Sequence, residues 1–509
     1  ALRALAMALE QRQEWAQARC VHDAIQDEYG LGVGSASRVR KLAKEKPDAD
    51  AARKAGIPPA TWREDKGQAS APMSDEARAA LARKRYYMLE DMYLSGRLGH
   101  GIKAGWARFR QARRLLETQP NRLTDAQRAT RATIHAVLDL NTPTSQIEWP
   151  LASENTPVNA KSAQPVGPIG ATGQLSPAAQ AVWRTISGDL DGMRESLRSG
   201  NGSLPYLRRV YATNLPVWRE AARMGWAEGL LLMGRCHAEG LGVPKDPAKA
   251  LEFYRQADRK GLALGKLLVA FCYVTGQGVR SDPSQAAHLW LQATEAGCDH
   301  AKLMLGIHYR TRHQHAEANK WFALAAEAGY ASAHYELARS YQYGWAIRRD
   351  FAMARDFYLQ GAAGGNTQAL NNLAILYANG EGVPRDPVRA AALYRRCAAA
   401  GAALGMYNLA DCYEKGNGLP RNEVLAGYWW RQASDLGDGQ SMNRLGHMLL
   451  KRKNIADCER GLKWLKESIE AGCPTALGCI ERHRREVEAL RKEQSSSNVR
   501  SDTAGTGGP

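Results

Sequence analysis

Residues 227–261 read AEGLLLMGRCHAEGLGVPKDPAKALEFYRQADRKG, and the fold follows from how this stretch divides. From Ala227 to His237, Leu230, Leu231 and Met233 lie near Gly234 at helical spacing, which predicts an amphipathic helix. The chain then meets Gly240 and Gly242, whose missing Cβ permits the positive φ that ends a helix. Val243 is apolar within a polar loop and is expected to be a buried anchor. Asp246 before Pro247 reads as a helix start, with a carboxylate N-cap and proline at the first helical position. A second helix is expected from Pro247 to Arg259, in which small Ala250 lets the two helices approach and Tyr254 fills space against a neighbour. A pair this short cannot bury its apolar face alone, so it must stack on copies of itself.

The copies are present. Gly225, Gly261, Gly297, Gly329, Gly365, Gly401, Gly437 and Gly472 are spaced by 36, 36, 32, 36, 36, 36 and 35 residues. Seven residues before each stand Trp218, Tyr254, Trp290, Phe322, Tyr358, Tyr394, Trp430 and Leu465. Eleven before six of them stand Ala250, Ala286, Ala318, Ala354, Ala390 and Ala426. The glycine loop returns at 276–282 and 380–386 and weakens at 344–350 and 416–422. It is missing from 297–329 and lost from 437–472.

This register and loop resemble the Sel1-like repeat, a relative of the tetratricopeptide repeat, over about 217–473, roughly half of the chain. The resemblance implies an all-α fold, an α-solenoid wound as a right-handed superhelix whose first helices line a concave face. It also implies a non-enzymatic scaffold that holds other proteins together, often in bacterial signalling or envelope assembly. In the tetratricopeptide family, asparagines and basic residues on the first helix clamp a peptide. Carried to the seventh and tenth positions after the glycines, that likeness marks Asn372 and Asn408, and Arg235, Arg339, Asp411 and His447, as partner-binding candidates. Asparagine at the seventh position is also common in the Sel1-like consensus, which leaves a structural role as the alternative.

Composition narrows the class. Lys and Arg number 69 against 52 Asp and Glu, a net charge of +17, and 44% of residues are apolar. No stretch approaches the roughly 18 uncharged apolar residues of a membrane helix. Arg3, Glu10, Arg12, Glu14 and Arg19 leave no room for a secretory apolar core. Nine cysteines without a CxxC argue against a disulfide framework or zinc knuckle. Some Sel1-like proteins staple each repeat with two cysteines. Here each occupies a single slot, Cys236, Cys272 and Cys412 eleven residues after their glycine and Cys298 and Cys473 one after. Cys397 and Cys412 lie in adjoining units. Buried thiols in a reducing, cytoplasmic compartment are expected, with no membrane partner.

The N-terminal part reads differently. Residues 51–63, AARKAGIPPATWR, resemble a helix-turn-helix, with Ala52 and Ala55 at the helix crossing, Gly56 at the turn and Ile57 and Trp62 buried. That likeness turns Thr61 and Arg63 toward DNA. Pro58 stands where a capping residue is usual, and the second helix ends by Gly67, so a helical hairpin without a nucleic-acid role is the alternative. Between Arg78 and Arg131, 13 basic residues face four acidic ones, a net +9. In this segment Ile102, Trp106, Phe109 and Leu116 form an apolar stripe, while Lys103, Arg110 and Arg114 share another face suited to phosphate contacts. An acidic protein fits such a face equally well. Helix-turn-helix-like stretches before a basic region also resemble the DNA-binding front ends of Mu-like transposases, although no catalytic acidic core follows.

The expected organisation is therefore a basic helical module over 1–140 and a Pro- and Ser-rich flexible linker over 141–175. A helical cap follows over 176–216 (segments 178–187, 191–199 and 204–212), then the solenoid over 217–473. A capping helix over 474–494 and a disordered tail over 495–509 complete the chain. There is no GxSxG, HExxH or P-loop, and Gly30, Gly32 and Gly34 follow no predicted strand. His308, His313 and His315 suggest a metal cluster, yet they fall where the repeat has lost its loop, so exposed turn residues are the preferred reading. No cofactor, metal or catalytic residue is expected. A scaffold with a protein or peptide in the solenoid groove is the first functional reading. A DNA-associated regulator, in which the basic module holds nucleic acid, is the second.

Overall fold

The computed structural model describes residues 75–98, 101–117, 176–200, 202–451 and 454–477, with isolated positions between 122 and 127 and between 480 and 492. The stretch 51–63, with Thr61 and Arg63, lies outside them, as do residues 141–175 and 495–509. Among the described residues there are 18 α-helices, one short 3-10 turn and no strand. They fall into two compact units, one of residues 75–385 and one that includes the residues from 386 onward.

The first unit opens with α1 (Asp75–Leu94) and α2 (Ile102–Glu117), followed by α3 (Pro177–Arg198) and α4 (Leu204–Arg223). Helix pairs come next: α5 (Ala227–Glu239) with α6 (Pro247–Arg259), and α7 (Ala263–Thr275) with α8 (Pro283–Glu295). They continue as α9 (Asp299–Thr311) with α10 (His315–Glu327) and α11 (Ala331–Tyr343) with α12 (Phe351–Ala363), then α13 (Thr367–Asn379). Each of these helices packs on the next, as a solenoid requires. The second unit repeats the scheme with α14 (Pro387–Ala399), α15 (Ala403–Lys415), α16 (Glu423–Asp435), α17 (Gly439–Leu450) and α18 (Ile455–Glu470).

The loop chemistry works as read. Gly240 and Gly242 take φ of 73° and 65°, and the Asp246 carboxylate accepts from the Ala248 and Lys249 N–H groups at 3.1 and 3.0 Å. Asp282, Asp350 and Asn422 cap their helices in the same way. One detail differs: Val243 is only half-buried, and its neighbour Leu241 is the buried anchor. Where the loop is missing, α9 passes to α10 through three residues, and His313 takes the left-handed turn at φ 59° without glycine's freedom. The aromatic slots are filled as expected, with Trp218, Tyr254, Trp290, Phe322 and Tyr358 all inside. Each such burial contributes on the order of 1.5–3 kcal/mol.

The cap differs from its expected segments. α3 is one helix through 188–190, and α4 runs past 216 to Arg223 with Pro216 inside it. Within α3, Gly192 lets α4 pack closely, since a Cβ there would meet the Tyr206 ring at 2.4 Å. Between the two, buried Asp189 accepts from the Trp218 indole at 2.7 Å, from Asn214 at 2.9 Å and from Tyr206 at 3.0 Å. None of the seven described cysteines is in a disulfide. Burial pushes the Cys236 and Cys397 thiols up to about 12 and those of Cys272 and Cys412 up to about 11, so they are protonated packing groups.

Candidate functional site

The basic segment is not a free module over 75–117: α1 and α2 pack on α12 within the first unit. The docking has a polar centre. Glu90 on α1 is fully buried and accepts from the Tyr377 hydroxyl of α13 at 2.6 Å, while Tyr87 meets the Tyr377 ring edge-on with centroids 5.7 Å apart. On α12, buried Arg355 pairs with Asp356, and Arg113 of α2 reaches the same carboxylate at 3.5 Å. Burial raises the Tyr86 phenol beside them. The approach is close, because a Cβ on Gly364 would lie 2.5 Å from the Ile102 side chain. Arg113, one of the 13 basic residues between 78 and 131, is therefore engaged within the fold.

The rest of the basic face remains in solvent. Phe109, Ala112 and Leu115 form the buried side of α2, with Ile102, Trp106 and Leu116 half-buried, whereas Lys103, Arg110 and Arg114 are exposed. Nothing in the sequence reading had singled out Glu90, Tyr377 or Arg355. The signal lay in the repeat itself: the residue before each period glycine is Met224, Lys260, Ala296, Ala328, Ala400, Leu436 or Ala471, but at α12 it is Gly364.

The six partner-binding candidates divide between the units. Arg235 on α5 is 12% exposed and pairs with Glu239 at 3.4 Å. Arg339 on α11 shares Glu336 with Arg310, both at 3.5 Å, and lies over the Trp345 ring at 4.9 Å and the Tyr335 ring at 5.6 Å. Burial holds the Glu336 carboxyl above the usual carboxylate range, against the two guanidinium groups that lower it. Asn372 on α13 donates to the Tyr358 hydroxyl at 3.0 Å, which in turn donates to Gln342 at 2.6 Å. That amide ties a first helix to the preceding pair, the structural role the consensus suggests. In the second unit Asn408, half-buried, and Asp411 lie on α15 and half-buried His447 on α17. Asp411 holds Lys415 at 2.8 Å and Arg444 of α17 at 3.8 Å, so it bridges repeats.

The histidines do not make a centre. His308 is buried beside Trp290, while His313 and His315 face each other with ring centroids 6.0 Å apart and His315 stacks on Trp345. Among the described residues no group of three or more His, Cys, Asp or Glu is placed to hold a metal ion, and no helix is long and apolar enough to cross a membrane. Two cavities open in the first unit. One, of about 530 Å³, lies among the α1–α2 turn, the end of α3 and the ends of α10 and α12, with Lys103 and Arg198 on its wall. The other, of about 510 Å³, lies between α3 and the first helices α5, α7 and α9.

Seven consecutive segments, 227–261, 263–298, 301–330, 331–366, 367–401, 403–438 and 439–473, match the family model of the Sel1 repeat. The stacked pairs are thus an α-solenoid of the kind that generally mediates protein–protein contacts. Residues 227–473 thus match seven Sel1 repeats in succession. Among solved structures it is 27% identical to a protective antigen of uropathogenic Escherichia coli displaying an SLR fold, with a TM-score of 0.43. That match covers 56% of this chain and 64% of the antigen's, less than two thirds of its length. A Sel1 repeat protein from Oxalobacter formigenes is 25% identical (TM-score 0.42, 45% of this chain and 97% of that one). Yeast Tom70 is 11% identical (TM-score 0.40, 100% and 99%). Comparison with curated proteins gives no match.

Proposed function

We propose that the chain is a non-enzymatic adaptor that captures a protein partner on the first-helix face of its repeats. The observation that carries this reading is a set of large apolar side chains left in solvent on two of the first helices, α7 and α11. Phe271 and Val274 on α7 are 43% and 39% exposed, and Tyr343 on α11 is 56% exposed. Arg339, stacked between aromatic rings beside Tyr343, supplies a cation whose side chain is already ordered, the kind of anchor that carries affinity in interfaces. Arg235 and Asn372 flank it along the unit, and Asn408, Asp411 and His447 offer a corresponding group in the second. Buried thiols outside any disulfide suit a reducing compartment, and the cytoplasm is the compartment we assign.

The test uses the full chain as bait, with the captured partner then purified for direct titration. Replacing Arg339 and Tyr343 together by alanine is expected to weaken binding by about tenfold or more. Unchanged affinity of the double variant sinks the assignment of this face. The exposed side of α2 favours a second reading, nucleic-acid binding through Lys103, Arg110 and Arg114. Here the full chain is titrated with duplex DNA across a salt series. The reading requires affinity that falls steeply with salt, and a shallower salt slope when the three are reversed to glutamate.

A further inference from the structure

The cavity of about 510 Å³ between α3, α5, α7 and α9 is walled by Met193, Leu264, Leu267, Phe271 and Met304. Its size and apolar lining are those of a small-molecule pocket. Polar residues share the lining, among them Ser203 and Glu239, and three of them carry a buried atom with no hydrogen-bond partner: Arg235 Nε, Trp290 Nε1 and His300 Nδ1. Trp290 is 4% exposed, so its N–H is shut away from solvent. The equivalent indole two slots earlier is treated otherwise, since Trp218 donates to Asp189 at 2.7 Å. A buried indole alone is not a site, as Trp430 also lacks a partner. What distinguishes Trp290 is that its orphaned donor borders a cavity whose wall holds two more.

The donor types select the ligand. Indole and guanidinium N–H groups only donate, so whatever satisfies them must present an accepting oxygen. Arg235 engages Glu239 at 3.4 Å through Nη2, while its Nε is buried with no hydrogen-bond partner and remains a charge-assisted donor. Burial lowers His300 to about 4, leaving a neutral imidazole that takes either hydrogen-bonding role.

We propose that this cavity binds a small apolar molecule bearing a carboxylate, with Arg235 Nε and Trp290 Nε1 donating to its oxygens and the leucines and Phe271 covering its body. The site goes beyond the adaptor reading and stands without it. The experiment is calorimetric titration of the full chain with octanoate, octanol and octylamine, together with thermal unfolding in each. Octanoate should bind saturably, raise the unfolding temperature and exceed octylamine by about tenfold or more, because the donors and the cation favour its charged oxygens. Trp290→Phe, which keeps the buried ring and removes the N–H, should weaken octanoate by about tenfold. Leu268→Trp, a partly exposed wall position with room for a larger ring, should abolish binding with helicity retained. Absence of saturable octanoate binding, equal binding of octylamine or octanol, or octanoate affinity untouched by both substitutions overturns the proposal.

Discussion

Helices α8 and α12 are the same element two repeats apart, and their outer faces have different fates. Both bury the alanine and aromatic slots, Ala286 and Trp290 in one and Ala354 and Tyr358 in the other. Five residues after the slot alanine, α8 has half-buried Leu291, while Arg255 and Ala323 at the same register of α6 and α10 are exposed. In α12 that register holds Leu359, which has no exposure at all. α8 ends on Ala296 and α12 on Gly364, whose φ of −80° calls for no glycine but whose missing Cβ admits Ile102. The repeat thus fixes one face of each second helix and leaves the other free to take a partner. In α12 the partner is the protein's own hairpin α1–α2.

Substitutions can test that contrast. Leu359→Glu forces a charge into a closed contact and should cost about 3–5 kcal/mol, or else release α1 and α2. The matching Leu291→Glu should cost under about 1 kcal/mol, since its register is half open. Thermal unfolding, with hydrogen exchange over 75–117, separates these outcomes, and equal effects at both sites would erase the distinction. Next in size, Gly364→Leu should cost about 1–3 kcal/mol through collision with Ile102 and deprotect the α1–α2 hairpin. A fully protected hairpin in that variant would show that the close approach is dispensable. Tyr377→Phe removes the hydroxyl that donates to buried Glu90 and should cost about 1–2 kcal/mol, read as a lower denaturation midpoint with helicity intact. The smallest effect has the opposite sign. His313→Gly relieves a positive φ in the shortened turn and should stabilise by up to about 1 kcal/mol, detectable as a rise in unfolding temperature.

Periodicity made the solenoid legible. A slot alanine and an aromatic recur because every repeat meets the same neighbour, so one physical constraint is written many times. The docked hairpin is written once. Its contacts rest on Glu90, Tyr377 and Gly364, each of which reads as an ordinary residue until its partner is known. The stripe on α2 was half legible: Phe109 is at its centre, but Ala112 and Leu115 are more buried than Leu116. Asn372 shows the limit from the other direction. Its residue type suits a peptide clamp, yet the Tyr358 hydroxyl one helix back already engages its amide.

The hydrogen bond between Tyr377 and Glu90 joins positions 287 residues apart, in a fold whose other contacts are mostly between neighbouring helices. Low contact order lets each helix pair settle soon after it leaves the ribosome. The hairpin has no such prospect. At roughly 5–20 residues per second, α1 emerges about 15–60 seconds before the tyrosine that completes its seat exists. During that interval its apolar side and its carboxylate are open to solvent and to any other surface in the cell. The newborn chain therefore passes through a period in which its first described helices are available to chaperones or to a neighbouring copy, before its own α12 and α13 claim them.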